Sequence, residues 1–154
     1  PADVIFVIKD DSKAKQWVQR TRQHYHFDRE NDASWYTYTE MSVPWPFSNR
    51  DLVVHNHLRW NDDRSAAFIK ITGVPDRIPA VNSNKRIEHF DGSWTMERVG
   101  PGRLRVRYEI FTRSQPVLPR WIVDPIVEQG FWDTLSEMRK CIRNRTETLA
   151  RRTE

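Results

Sequence analysis

Cysteine is nearly absent from this chain: Cys141 is the single one among 154 residues. An internal disulfide and a cysteine metal cage are both excluded. Glycine is scarce as well, with five in all, and no glycine-rich phosphate loop can be traced. The longest uninterrupted apolar run, Val4-Ile5-Phe6-Val7-Ile8, is far too short to cross a bilayer as a helix. No HExxH pair, no acidic cluster at ligand spacing and no GxSxG elbow occurs. His24/His26 and His55/His57 share strand faces at i, i+2. The second pair falls beside Arg59 on a face read as wet, so no metal site and no cofactor is expected.

What is abundant is aromatic. Seven tryptophans and seven phenylalanines suit a broad core or the wall of an apolar pocket. The net charge of +4 favours an anionic partner. Part of it gathers at Arg139, Lys140, Arg143, Arg145, Arg151 and Arg152, either a solvated helix face or a place for peripheral contact with an anionic membrane.

Residues Ala2 to Arg22 read as helix in two pieces, with Asp11-Ser12 as break and new cap. Strands follow. His24 to Glu30 and Ser34 to Val43 pair across the turn-prone Asn31-Asp32. Arg50 to Trp60 puts Leu52, Val54, Asn56, Leu58 and Trp60 on one face, and Val53, His55, His57 and Arg59 on the other. Asn61-Asp62-Asp63 turns the chain into Ala66 to Thr72. A proline-containing loop, Gly73 to Asn84, leads to a strand from Arg86 to Arg98, and Gly100-Pro101-Gly102 turns again. Leu104, Val106, Tyr108 and Ile110 then alternate with Arg103, Arg105, Arg107 and Glu109, the mark of a sheet with one dry face. Ile122 to about Thr148 reads as one long helix with Pro125 in its first turn and an apolar stripe of Val127, Phe131, Leu135, Met138 and Ile142. The predicted class is α+β: about six antiparallel strands forming a curved sheet around one long C-terminal helix, with an apolar cavity between them.

Against this background Pro44-Trp45-Pro46-Phe47-Ser48-Asn49-Arg50-Asp51 resembles the PWPxxxRD signature of START domains, the steroidogenic-acute-regulatory-related lipid-transfer domains. Val7-Ile8-Lys9-Asp10 with Trp17, Lys85-Arg86 with Trp94, and Leu118-Pro119-Arg120-Trp121 match further segments in order, so the resemblance covers nearly the whole chain. It implies the helix-grip fold, a tunnel for one lipid, and no catalysis in most members. It departs in three places. Arg113-Ser114-Gln115-Pro116 replaces an acidic, glycine-containing stretch, and Asp124 stands where asparagine is common. Asn56 occupies the place where some sterol-binding members carry arginine. Family members usually begin with a strand ahead of the segment matched by Ala2 to Asp10, so residues 1–154 are expected to form a single START-like domain lacking that strand.

The expected ligand-binding residues are Glu40, Leu52, Val54, Asn56, Leu58, Arg86, Trp94, Val106, Tyr108, Ile110, Val127, Phe131 and Leu135. Asn56 is singled out because a polar group on an otherwise dry face needs a partner, in a ligand, in water or in the backbone. Arg50-Asp51 is expected to form an ion pair at the sheet edge. The expected partner is a lipid or other hydrophobic ligand, not nucleic acid. The alternatives are a helix-grip enzyme of cyclase or hydrolase type, whose titratable groups would come from Glu40, Glu88, Arg86 and Tyr108, and, behind it, a nucleic-acid-binding protein.

Overall fold

The structure, a computed structural model, describes residues 1–18, 20–45, 47–81, 83–113 and 120–151, without the side chains of 120–127, 149 and 150. Its contacts divide the chain into two compact units, one holding three helices and the other the sheet.

In the helical unit, α1 (Ala2–Lys9) and α2 (Asp11–Trp17) pack with each other and with α3 (Arg120–Arg151). Val4, Ile5, Val7 and Ile8 are all buried, as a helix apolar on nearly every side requires. The exposed member, Phe6, lies beneath the guanidinium of Arg145, 3.5 Å from its ring centre, and Arg145 Nε donates to Asp3 Oδ1 at 3.1 Å. The cap between α1 and α2 is Asp10, one residue before the expected break, and its carboxylate accepts from the Ser12 amide at 3.1 Å. Helix ends at Trp17 rather than Arg22. Arg20 takes a left-handed backbone, φ 61°, and Thr21 and Arg22 already belong to the first strand. At the other end α3 begins at Arg120, so Pro125 falls in its second turn and forfeits one helix hydrogen bond.

The sheet unit contains β1 (Thr21–Asn31), β2 (Ser34–Met41), β3 (Arg50–Trp60), β4 (Ala66–Gly73), β5 (Lys85–Arg86), β6 (Phe90–Gly100) and β7 (Arg103–Thr112). They form one curved, seven-stranded sheet in the order β1-β2-β3-β4-β6-β7, with β5 off this path on β3. The long strand expected from Arg86 to Arg98 is therefore split. Lys85-Arg86 runs parallel to Arg50-Asp51, and pairing resumes only at Phe90. The reason lies in β3. Its partner β4 reaches back only to Val54, which leaves the Arg50-Asp51 end of β3 free to take another neighbour. A 3-10 turn at Pro75–Arg77 and the following loop carry the chain into that gap. Asn61 closes the β3–β4 turn as expected, its Oδ1 accepting from the Ala66 amide at 2.8 Å.

Candidate ligand-binding face

In an antiparallel pair, residues directly opposite one another point to the same side of the sheet. Leu52, Val54 and Asn56 of β3 stand opposite Thr39, Thr37 and Trp35 of β2. Across the other edge, Asn56, Leu58 and Trp60 meet Ile71, Ile69 and Ala67 of β4. The row continues through Gly92, Trp94 and Met96 of β6 to Ile110, Tyr108 and Val106 of β7. One face of five strands is thus built almost wholly from apolar side chains. Its middle is dry: Trp35, Ile69, Trp94 and Met96 are each 3% exposed or less. Towards its margins Leu52, Val106 and Tyr108 are half-buried, and Ile110 is exposed, contrary to a uniformly dry strand β7. Trp94 and Tyr108 stack with ring centres 3.8 Å apart and planes 9° from parallel. Desolvation there raises the Tyr108 phenol above its ordinary pKa.

A small polar group interrupts this face. Asn56 Nδ2 donates to Thr37 Oγ1 at 2.9 Å and approaches the Trp35 carbonyl at 3.5 Å. Beside it, Thr39 Oγ1 is 2.9 Å from His24 Nδ1. Asn56 was legible in the β3 alternation. Thr37 and Thr39 were not, because Ser34 to Met41 carries polar and aromatic residues on both faces and its period is ambiguous. Ala67, Ile69 and Ile71 alternate with Phe68 and Lys70 and could have been read from the same pattern as β3.

The opposite face is charged and hydrogen-bonded, and two expected ligand residues lie there or beside it. Glu40 is opposite Asp51 and accepts an ion pair from Arg22 at 3.3 Å. Arg86 meets Asp51 in a two-pronged pair, Nε to Oδ1 and Nη2 to Oδ2, both at 3.0 Å. Its remaining donors reach the backbone carbonyls of Pro75, Ile78 and Pro79. Both residues are thus committed to ion pairs away from the apolar face. The sheet-edge pair expected within Arg50-Asp51 is replaced by this one: Asp51 is fully buried, and its partner is 35 positions away. Val53, expected on the wet side, is 0% exposed, with the 3-10 turn at Pro75–Arg77 packed against β3 as cover and Val74 N donating to Val53 O. Beyond that cover the face is wetter, with His55 and His57 half-buried and Arg59 exposed. An open cleft of about 510 Å³ lies along the same segment, lined by Pro75, Ile78, Arg86, Glu88 and His89 among others.

On this side Glu30, Ser34, Tyr36 and His55 form a network that alternation alone did not reveal. Ser34 Oγ is 2.7 Å from Glu30 Oε2 and 2.6 Å from His55 Nε2, and Tyr36 donates to Glu30 Oε1 at 2.8 Å. Hydrogen bonds from Ser34 and Tyr36 hold the Glu30 carboxyl below the ordinary carboxylate value.

In the helical unit, Phe131 is half-buried, Leu135 is 38% exposed, and Met138 is the buried member of the stripe among the described residues. Leu135 is therefore not a core residue of its helix. The Val127 side chain, Pro46 of the Pro-Trp-Pro signature, and the Leu118-Pro119 turn lie outside the described residues.

No family model matches the chain. Among curated proteins, an uncharacterised protein of Pseudomonas aeruginosa is 25% identical over 147 residues, covering 94% of this chain and 72% of that protein. The phosphatidylcholine transfer protein of Mus musculus is 27% identical over 148 residues, covering 94% of this chain and 68% of that protein. Among solved structures, a STAR-related lipid transfer protein fragment from Xanthomonas axonopodis superposes with a TM-score of 0.77 at 26% identity, over 92% of this chain and 78% of the other. Human STARD10 superposes with a TM-score of 0.75 over 98% of this chain and 62% of the other; at 17% identity, that likeness is one of fold. In sequence the chain is similar to START-type lipid transfer proteins, and its fold matches the helix-grip fold of their domains.

Proposed function

We propose that the chain holds one lipid against the apolar face of its sheet and performs no chemistry on it. The observation that carries this reading is the continuity of that face across β2, β3, β4, β6 and β7, with half-buried margins at Leu52, Val106 and Tyr108. Leu52, Val54, Leu58, Trp94, Val106 and Tyr108 are the wall. Removing apolar surface from water yields about 25 cal/mol per Å², so burying about 200 Å² of an acyl chain contributes on the order of 5 kcal/mol without any polar anchor. Relatives described as a phosphatidylcholine transfer protein and a STAR-related lipid transfer protein support the same ligand class.

Against catalysis, the four titratable groups considered for it do not converge on the apolar face: Glu88 lines the open cleft with Arg86. Glu40 and Arg86 are held in ion pairs away from the apolar face, whereas Tyr108 lies on it, stacked on Trp94. The basic end of α3 is the proposed membrane contact. Arg139, Arg143 and Arg151 are exposed, while Arg145 is bound to Asp3 and Lys140 to Glu137. Each free cation near an anionic surface adds about 1 kcal/mol, screened by salt.

Mass spectrometry of the purified protein under native conditions tests this directly. The expected result is one lipid per chain, recovered at unchanged mass after prolonged incubation. Finding neither a co-purified lipid nor uptake of a fluorescent lipid would overturn the reading, and recovery of a chemically altered lipid would favour the enzyme.

A further inference from the structure

Along β6, Phe90, Gly92, Trp94 and Met96 alternate onto the apolar face, and Gly92 stands between Ile71 of β4 and Ile110 of β7. Gly92 brings no side chain to that row. A glycine inside a strand often marks a place where another group comes close to the backbone. Here the group is Phe90. A β-carbon at Gly92 would lie 3.3 Å from Phe90 Cε1, 3.7 Å from Ile71 Cβ and 3.0 Å from the Glu109 carbonyl oxygen. The phenyl ring is thus folded along its own strand and covers the backbone two residues on. Gly73 makes room for the other end of the same residue: a β-carbon there would come within 3.0 Å of Phe90 O and 3.2 Å of its N and Cβ. Two of the chain's five glycines therefore border this one side chain, one seating its backbone and the other its ring. The neighbouring backbone is pinned as well, since the His89 carbonyl accepts from Thr112 Oγ1 at 3.0 Å and from the Arg113 amide at 3.3 Å. Phe90 is nonetheless only half-buried, so part of its ring is left uncovered.

We infer that Phe90 is a specificity-determining residue that sets the width of the lipid chain this face accepts, favouring an unbranched acyl chain over a methyl-branched, isoprenoid one. One ring covers two positions. Deleting it would bare a trough from residue 90 to residue 92, two strand steps or about 7 Å long, with little but backbone as its floor. With the ring in place that trough is filled, and a straight chain lies across it. A branched chain of the same length needs room for its methyl groups, and the ring occupies the room that Gly92 leaves. Close-packed surfaces absorb an added methyl poorly, because neighbouring side chains must leave their favoured rotamers to make space. A side chain rooted at position 92 could not fill the row in this way, since its β-carbon would press on the Glu109 carbonyl. The glycine and the borrowed ring are thus one device.

This inference rests on the lipid-binding reading, and the test separates the two. A fluorescent fatty alcohol is displaced from the purified chain by 1-hexadecanol and by phytanol, the same alcohol carrying four methyl branches. On an unrestricted apolar surface phytanol would bind the tighter, since each branch adds area to bury. The parent is expected instead to hold 1-hexadecanol about tenfold tighter, the scale on which a filled pocket refuses one extra carbon. In Phe90→Ala that ratio should fall about tenfold, to unity or below. Phe68→Ala removes an equal ring from the opposite face and should keep the parent ratio, which separates a change of cavity shape from a general loss of packing. Equal or tighter binding of phytanol by the parent overturns the inference while leaving lipid binding intact. So does a ratio unmoved in Phe90→Ala, or one moved as far in Phe68→Ala. Failure of the parent to take up any fluorescent lipid overturns both. Should Phe90→Ala not fold, Phe90→Leu, whose side chain is too short to cover Gly92, decides by the same ratio.

Discussion

Replacing Arg86 with methionine would keep most of the aliphatic stem and delete the guanidinium. In the parent, Asp51 is 0% exposed and the Arg86 side chain 9% exposed, so the substitution strands a carboxylate in the interior. Two charge-assisted hydrogen bonds of 3.0 Å disappear, together with those to the carbonyls of Pro75, Ile78 and Pro79. Removing one partner of a buried ion pair costs about 3–5 kcal/mol, mostly because the other charge is left without compensation. In a domain of this size each kcal/mol moves the melting temperature by about 2–4 °C, so Arg86→Met should melt about 6–20 °C below the parent. Adding Asp51→Leu removes the stranded charge and should recover part of that loss. The carbonyl contacts also predict a local effect: amides of the 75–80 segment should exchange faster in Arg86→Met. Calorimetric melts of the parent, both single variants and the double variant give the coupling directly. A melt of Arg86→Met within about 2 °C of the parent, less than the shift from losing 1 kcal/mol, would refute the clamp. If that variant also lost lipid uptake, Arg86 would return to the ligand site from which its geometry excludes it.

The Glu30 carboxyl is held below its ordinary value by Ser34 and Tyr36, so its contribution to stability is present above the unfolded value and is lost as pH falls through the folded one. The stability gap between the parent and Glu30→Gln should therefore be constant near neutrality and close on acidification below pH 4.5; a gap that widens in acid contradicts this. Tyr108 is shifted the other way by desolvation, so its contribution is present below the ordinary tyrosine value and is lost as pH rises above it. Tyr108→Phe should accordingly resist alkaline unfolding better than the parent, and coincident alkaline midpoints would contradict the burial argument. Leu52→Trp fills a half-buried margin of the apolar face. It should leave the melting temperature within about 4 °C, the equivalent of 1 kcal/mol, while reducing fluorescent lipid uptake several-fold. Undiminished uptake by a folded variant would move the ligand elsewhere.

Periodicity alone carried the element types and the side of β3 and β7 that is apolar, because a side chain's face in a strand depends only on its own position modulo two. Leu52, Val54, Asn56 and Leu58 could thus be grouped before any partner strand was known, and the Pro44 to Asp51 segment supplied the resemblance from local sequence alone. Which residues stand beside them depended on register and strand order, which join positions far apart in the chain. Thr37 and Thr39 flank β3 only because Ser34 pairs with His57. Asp51 met Arg86 instead of Arg50 because adjacent strand residues point to opposite faces, whereas the free end of β3 admitted β5 in parallel. Glu40 left the expected site for a related reason: its register opposite Asp51 puts it on the charged side of the sheet. Leu135 fitted the three-and-four spacing of an apolar stripe yet is 38% exposed, since spacing fixes a helix face but not how far its neighbours cover each residue. Only the packed chain decides that coverage.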